Sequence, residues 1–387
     1  MTGLDTPNKQ IRNLTALRGI AAILVVIFHF EILLVMFVPP GISLFFRRCY
    51  LMVDLFFVLS GFVMTHAYGE LFSDGWTRNK MKNYLLARIA RIYPLHFVSL
   101  LITILLVLIM GQPLTGIYNP AAIPANIFLL HSFGLFPTFT WNVPSWSISA
   151  EMFAYLFFPA VISWRKKAPL TVMAMMLFVI VSIYIILAFH LSRAHGSDGP
   201  HNLDFSYDYG YLRGLAGFLL GVVIYQSYAR NFVKGWLKKD AVFMVLVLCL
   251  ISVMHWGWND LWTIPLFALL ILSVAYNDGR VRKWMNRPLM QWLGKISFSI
   301  YLMQGTLTRL IVIFLKRVGV SYNGPFSLHL PYWLAFLSCI FFLMALCGLA
   351  TLTYHLIEKP ARNRIRAKFV RHCYAFPAEE IGIKNTA

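Results

Sequence analysis

The sequence predicts an all-α, polytopic integral membrane protein with about ten transmembrane helices and both termini cytoplasmic. Three observations predict it. Apolar residues make up 59% of the 387 residues and charged residues 13%, where a soluble domain carries roughly 25% charged residues. Apolar runs long enough to cross the hydrocarbon core recur along the whole sequence. Basic residues gather in alternate connections between those runs, as the positive-inside rule requires.

Ten spans follow from the runs: 14–38, 50–69, 87–110, 145–163, 169–190, 208–228, 240–256, 260–276, 294–315 and 331–356. The first reads LTALRGIAAILVVIFHFEILLVMFV, with His29 past its middle. In the fourth, Pro144 and Ser145 suit a helix start, Ser145 as a cap. The sixth is interrupted by Arg213 and several glycines; Gly214, Gly217 and Gly221 suit close helix packing within or between protomers, so the sequence leaves the oligomeric state open. The chain divides into an N-terminal arm (1–13), a membrane domain (14–357) and a basic tail (358–387). With the N-terminus inside, inward loops and tails hold most of the lysines and arginines. Arg47 and Arg48 fall on the wrong side, which suggests service to a site rather than to topology. Two outward connections, 111–144 and 191–207, suit an acceptor site. The first contains a semi-apolar piece, 125–136, that fits a re-entrant or interfacial segment.

A formal charge of +19 would suggest nucleic acid in a soluble protein. Here it is explained by topology, and no nucleic-acid partner is expected. The first apolar run is too long for a signal peptide. Cys49, Cys249, Cys339, Cys347 and Cys373 are dispersed, without the spacing of a disulfide framework or a metal site.

An ionisable residue inside a membrane helix is costly and marks a functional candidate. His29 can act as a general base toward a hydroxyl; the competing reading is a packing histidine. Glu151, near the outward start of span four, has a depth compatible with His29 and can orient and balance its imidazole. Glu31, two positions from His29, falls on nearly the opposite helix face. Arg88 and Arg91 share a face at the inward end of span three and suit phosphate, with Arg18, Lys80 and Lys82 at the same mouth and Tyr93 and Pro94 shaping the entrance. Asp54 is either a substrate contact or a partner of Arg47 or Arg48. Ser60 and Gly61 read as small residues for helix approach. Trp146 and His131 suit carbohydrate contact or anchoring, while Ser147, Tyr155, Tyr301 and Gln304 have the chemistry of oxyanion donors. Glu358 reads as structural.

Taken in order, Arg18 eleven positions before His29, DLFFVLSGF at 54–62, Arg88-x-x-Arg91 and WSISAE at 146–151 resemble the acyltransferase-3 family of membrane acyltransferases over residues 12–360. The resemblance implies around ten helices, an acyl-CoA donor (most often acetyl-CoA), no metal, and extracytoplasmic carbohydrate as acceptor. It further implies a bacterial inner-membrane location, His29 as the catalytic residue, and Arg88 and Arg91 as donor-handling residues. Met152 follows Glu151 where family members often carry a second acidic residue. No hydrolase-like domain is expected after the last span, so catalysis is expected from the membrane domain or a separate partner.

The expected reaction moves an acyl group from cytoplasmic acyl-CoA to a hydroxyl of a carbohydrate or lipid-linked sugar, directly or through an acyl-histidine. The rival is a transporter of a small anionic or proton-coupled solute.

Overall fold

The computed structural model describes residues 11–191, 203–320 and 330–369. The N-terminal arm before residue 11, most of the 191–207 connection, and the tail beyond residue 369 with Arg371 and Cys373 lie outside the described residues. Among the described residues there is no strand. The main helices are α1 (Arg12–Leu33), α2 (Met52–Tyr68), α3 (Arg78–Ile109), α4 (Trp146–Lys167), α5 (Pro169–Ile185), α6 (Gly210–Ala229), α7 (Asp240–His255), α8 (Thr263–Tyr276), α9 (Pro288–Arg317), α10 (Tyr332–Thr353) and α11 (Lys359–Phe369).

Every predicted span is helical. Eight segments of the described residues are long and apolar enough to cross a membrane. The two others, α7 and α8, have 16 and 14 residues, or about 24 and 21 Å at 1.5 Å per residue. The largest boundary difference is at α3, which starts nine residues before its apolar run. Thr77 caps it by accepting the Lys80 amide at 3.3 Å. Hydropathy misses this polar first stretch because helix formation does not require apolar residues. At the other extreme, α1 stops at Leu33 rather than residue 38. Its downstream chain folds back, with Phe37 against Phe30 and Phe46. The adjacent Pro39-Pro40 also opposes continuation. At α4 Ser145 does not cap; its hydroxyl donates to Asn142 O at 2.7 Å and meets His131 Nε2 at 3.0 Å.

Two glycine seams draw the bundle together. A Cβ on Gly61 would stand 1.9 Å from the Phe218 carbonyl oxygen, and one on Gly221 2.0 Å from the Val58 oxygen. Thus α2 and α6 touch backbone to backbone, as small residues permit when lipid offers no hydrophobic drive. The glycines of span six therefore serve packing within the chain. Similarly, a Cβ on Gly294 of α9 would meet the Thr15 oxygen at 2.1 Å and one on Gly19 the Gly294 nitrogen at 2.7 Å, seating α9 beside α1.

The α2–α6 pair is also tied by charge. Arg213 Nε donates to Asp54 Oδ1 at 2.9 Å and Nη2 donates to Oδ2 at 2.5 Å. Both residues are fully buried. The Phe205 carbonyl accepts from Nη1 at 3.0 Å, and Trp146 lies 5.5 Å from the guanidinium. Asp54 is therefore the ion-pair partner of Arg213 and not the mate of Arg47 or Arg48. Arg48 instead pairs with Asp260 at 2.7 Å, which also accepts from Tyr50 OH at 2.8 Å. Such bidentate pairing is needed because an isolated charge in the interior is prohibitive.

Two predictions follow from this packing. Asp54→Ala leaves Arg213 buried without its counter-charge and lowers stability by about 3–5 kcal/mol; thermal unfolding of detergent-purified protein measures the loss. Gly61→Val forces α2 from α6 and lowers the midpoint more than Gly235→Val, where an added Cβ meets nothing within 4 Å.

Candidate functional site

A cavity of about 900 Å³ runs up the inside of the bundle, walled by α1, α2, α3, α4, α9 and the start of α11. It follows α2 from Tyr68 to Val53. One end is rich in cations: Arg18, Lys80, Arg88, Arg91, Lys295, Lys359 and Arg362, against Glu70 and Asp74. The other end is lined by Val53, Phe56, Phe57, Ser147, Ile148 and Tyr301. Glu151, Ser60 and Tyr155 stand between them.

At the cationic end Arg88 Nη2 donates to Tyr68 OH at 2.6 Å, and the guanidinium lies 4.8 Å from the Tyr68 ring. Arg91, one turn on, is half-buried on the same wall. Neither Arg18 nor Arg91 makes a hydrogen bond to another described residue, so their planar donors face the cavity. Arg18 lies in the field of both Arg91 and Glu151. Glu358 accepts from Ser299 at 3.0 Å and lies in the field of Arg91 and Arg362, restraining this end of the bundle. Asp74, at the rim, is held below the usual carboxylate range by its hydrogen bond from Lys166.

Of the donor-handling residues read from the sequence, Arg18, Arg88 and Arg91 come together here. Lys82 and Tyr93 do not. Lys82 is exposed and off the wall; Tyr93 stacks on Phe97 with ring centroids 6.0 Å apart. A helix turns 100° per residue, so neighbours in sequence part company: Lys80 faces in and Lys82 faces out. Lys295, Lys359 and Arg362 were missed. They come from elements far along the chain, and their only sequence signal is the inward charge bias.

His29 lies on the stripe of α1 that carries Arg18, eleven residues and about 16 Å further along. It is half-buried and is not part of the cavity wall. Its Nδ1 is 2.9 Å from the Val25 carbonyl oxygen. A carbonyl only accepts, so Nδ1 carries the hydrogen and Nε2 keeps its lone pair. The tautomer is thus set by the helix backbone rather than by Glu151. Glu31 is 2% exposed and lies in the field of Arg47.

Glu151 has other partners. Ser60 Oγ and Tyr155 OH each donate to its Oε1 at 2.5 Å. Deeper in, Ser147 Oγ donates to Tyr301 OH at 2.8 Å, and Tyr301 OH donates to Pro144 O at 2.9 Å. The hydroxyl hydrogens of Ser147, Tyr155 and Tyr301 are therefore committed within the protein. Gln304 is different: it is 2% exposed, and neither amide atom has a hydrogen-bond partner among the described residues. Trp146 is buried against Arg213 and Phe57, and His131 is also buried, so neither offers a sugar-stacking surface. The 125–136 piece contributes a short helix, Ile123–Ile127. Asn126 in it offers its carbonyl to His96 Nε2 at 2.9 Å, and Ser132 meets Ser149 of α4 at 2.8 Å.

Residues 11–352 match the family described as Acyl_transf_3, acyltransferase domain. The chain belongs to this acyltransferase family. Among curated relatives, it is 25% identical over 366 residues to the "Putative peptidoglycan O-acetyltransferase YrhL" of Bacillus subtilis (strain 168), covering 85% of this chain and 53% of that protein. It is 38% identical over 100 residues to "Protein 2 in picA locus" of Rhizobium radiobacter, covering 25% of this chain and 45% of that protein. It is 25% identical over 325 residues to the "Putative acetyltransferase ORF330" of Acidianus two-tailed virus, covering 81% and 88%. The chain spans about half the length of the first two of these relatives. No solved structure matches it. No cluster of metal-binding side chains occurs among its described residues.

If the cavity is the water-accessible face of α2, Val63→Cys is labelled by a membrane-impermeant thiol reagent entering from the cationic end. Val58→Cys, packed with no exposure against α6, stays unlabelled. Cys249, which is exposed, is first changed to serine.

Proposed function

We propose that this protein is a transmembrane O-acyltransferase that moves an acyl group, acetyl by preference, from cytoplasmic acyl-CoA to a hydroxyl of an extracytoplasmic carbohydrate or glycolipid. The observation that carries the reading is the cavity: a cation-rich mouth leads along α2 toward the bundle interior in a chain of an acyltransferase family. The names of two relatives, an O-acetyltransferase and an acetyltransferase, favour acetyl. In this reading α7 and α8 join the eight longer segments to make ten crossings, both termini lie inside, and the protein resides in a bacterial inner membrane.

Coenzyme A phosphates sit at Arg18, Arg88 and Arg91, where guanidinium forks match phosphate oxygens. The acyl end points inward. His29 is the general base. Its Nε2 takes the proton of the acceptor hydroxyl as the oxygen attacks the thioester carbonyl carbon. The tetrahedral oxyanion collapses, the carbon–sulfur bond breaks, and the leaving thiolate recovers the proton from the imidazolium. The cavity ends short of His29, so the reaction needs the two to join when donor and acceptor are bound.

An oxyanion requires a donor whose hydrogen is not already spent. Gln304 meets that requirement among the four candidates. It also has a suitable depth. Gly294 lies against Thr15 and Gly19, and α9 runs parallel to α1. Ten residues on, about 15 Å, Gln304 reaches the level of residues 25–29.

The test is labelled acetyl-CoA supplied to reconstituted protein with extracts holding surface glycans. Label enters a carbohydrate fraction with the wild type. His29→Ala lowers transfer by about 10²–10⁴-fold, and Gln304→Ala by about 10²–10³-fold, in protein that remains folded. Full activity of His29→Ala overturns the assignment of the base. Absence of transfer with acetyl and longer donors moves the transporter reading ahead.

A further inference from the structure

From the mouth inward, the cavity wall changes character in the middle. A hydroxyl owns one hydrogen. Ser60 and Tyr155 both spend theirs on Glu151 Oε1, at 2.5 Å each, and their own oxygens stand 3.1 Å apart. What this trio offers the cavity is acceptors alone: the lone pairs of two hydroxyls and Glu151 Oε2, which has no hydrogen bond among the described residues. Glu151 itself is half-buried on the wall, and it forms no hydrogen bond with His29. Toward the mouth are cations; deeper are Val53, Phe56, Phe57 and Ile148, with Ser147 and Tyr301, whose hydroxyl hydrogens are spent within the protein.

A ligand that complements all three zones is anionic at one end, carries N–H or O–H donors at mid-length, and ends in a slender apolar part. Coenzyme A has this order: phosphates, two pantetheine amides, and an acyl thioester. A carboxylate is the strongest acceptor a side chain provides for an amide hydrogen. Clamping Oε1 with two hydroxyls fixes where Oε2 points, which lowers the cost of binding.

We propose that Glu151, positioned by Ser60 and Tyr155, binds an amide N–H of the pantetheine arm, making it a donor-binding residue rather than the partner of His29. The proposal rests on the acyl-CoA reading above and names the contact that selects a donor with an amide-bearing arm.

The experiment is calorimetric titration of the full-length, detergent-solubilised protein with coenzyme A and, separately, with ADP, which reaches only the cationic mouth. Glu151→Gln can keep both clamping hydroxyls on its carbonyl oxygen while turning an NH₂ toward the cavity, so donor meets donor. Coenzyme A binding falls by about 10- to 100-fold, and ADP binding stays as in the wild type. Tyr155→Phe and Ser60→Ala weaken coenzyme A less and leave ADP unchanged. Arg88→Ala weakens both ligands.

Unchanged coenzyme A binding by a folded Glu151→Gln variant overturns the proposal. Loss of transfer alongside unchanged binding would return Glu151 to the chemistry. Equal weakening of coenzyme A and ADP by Glu151→Gln also overturns it, since a field or folding effect would then suffice. A wild type that binds neither ligand removes the acyl-CoA reading itself, an outcome separate from the other two.

Discussion

The backbone contact between α2 and α6 is the constraint on which the rest of the bundle depends. Gly61 and Gly221 let the two helices meet without intervening side chains, and the Asp54–Arg213 pair locks them at one end. Because lipid is as apolar as a leucine side chain, association must come from close contact and satisfied polar groups. With one face of α2 sealed in this way, its other face is free to form the long wall of the cavity. The same backbone approach between α1 and α9 helps to set Arg18 on that cavity.

Polarity is then distributed along one axis. Cations crowd one end, a clamped carboxylate stands midway, and apolar side chains follow. Each functional side chain is held by a neighbour: Arg88 by Tyr68, Glu151 by Ser60 and Tyr155, His29 by the Val25 carbonyl. Supporting contacts of this kind keep functional side chains near a single geometry and reduce the reorganisation required on binding or reaction. The opposite end of the bundle uses a different device. There Arg48, Tyr50 and Asp260 form a second buried network, so Arg48 is accounted for by folding.

Much of this was legible in the amino-acid sequence. The apolar runs marked every main helix except the basic α11, because burial in hydrocarbon demands long apolar stretches. The charge bias marked the cationic end, and the motif residues Arg18, Arg88 and Arg91 were identified from spacing. His29 stood out because a titratable group inside an apolar helix is rare. These are one-dimensional properties: composition, period and distance along a helix.

Partnership was not legible, for a physical reason. Which atoms meet depends on helix rotation and on contacts between residues far apart in the chain. Asp54 finds Arg213 rather than the nearby Arg47 or Arg48, because the glycine seam brings α6 against α2. Glu151 and His29 have compatible depths, yet helix rotation gives Glu151 to Ser60 and Tyr155 and leaves His29 to its own backbone. Lys82 and Lys80 differ by two residues and so by just over a half-turn, enough to put one on the surface and the other on the cavity. The sequence by itself determined the class, the helices and the chemical inventory; the tertiary structure decided which hydrogen is spent on which oxygen, and so which groups remain available to a ligand.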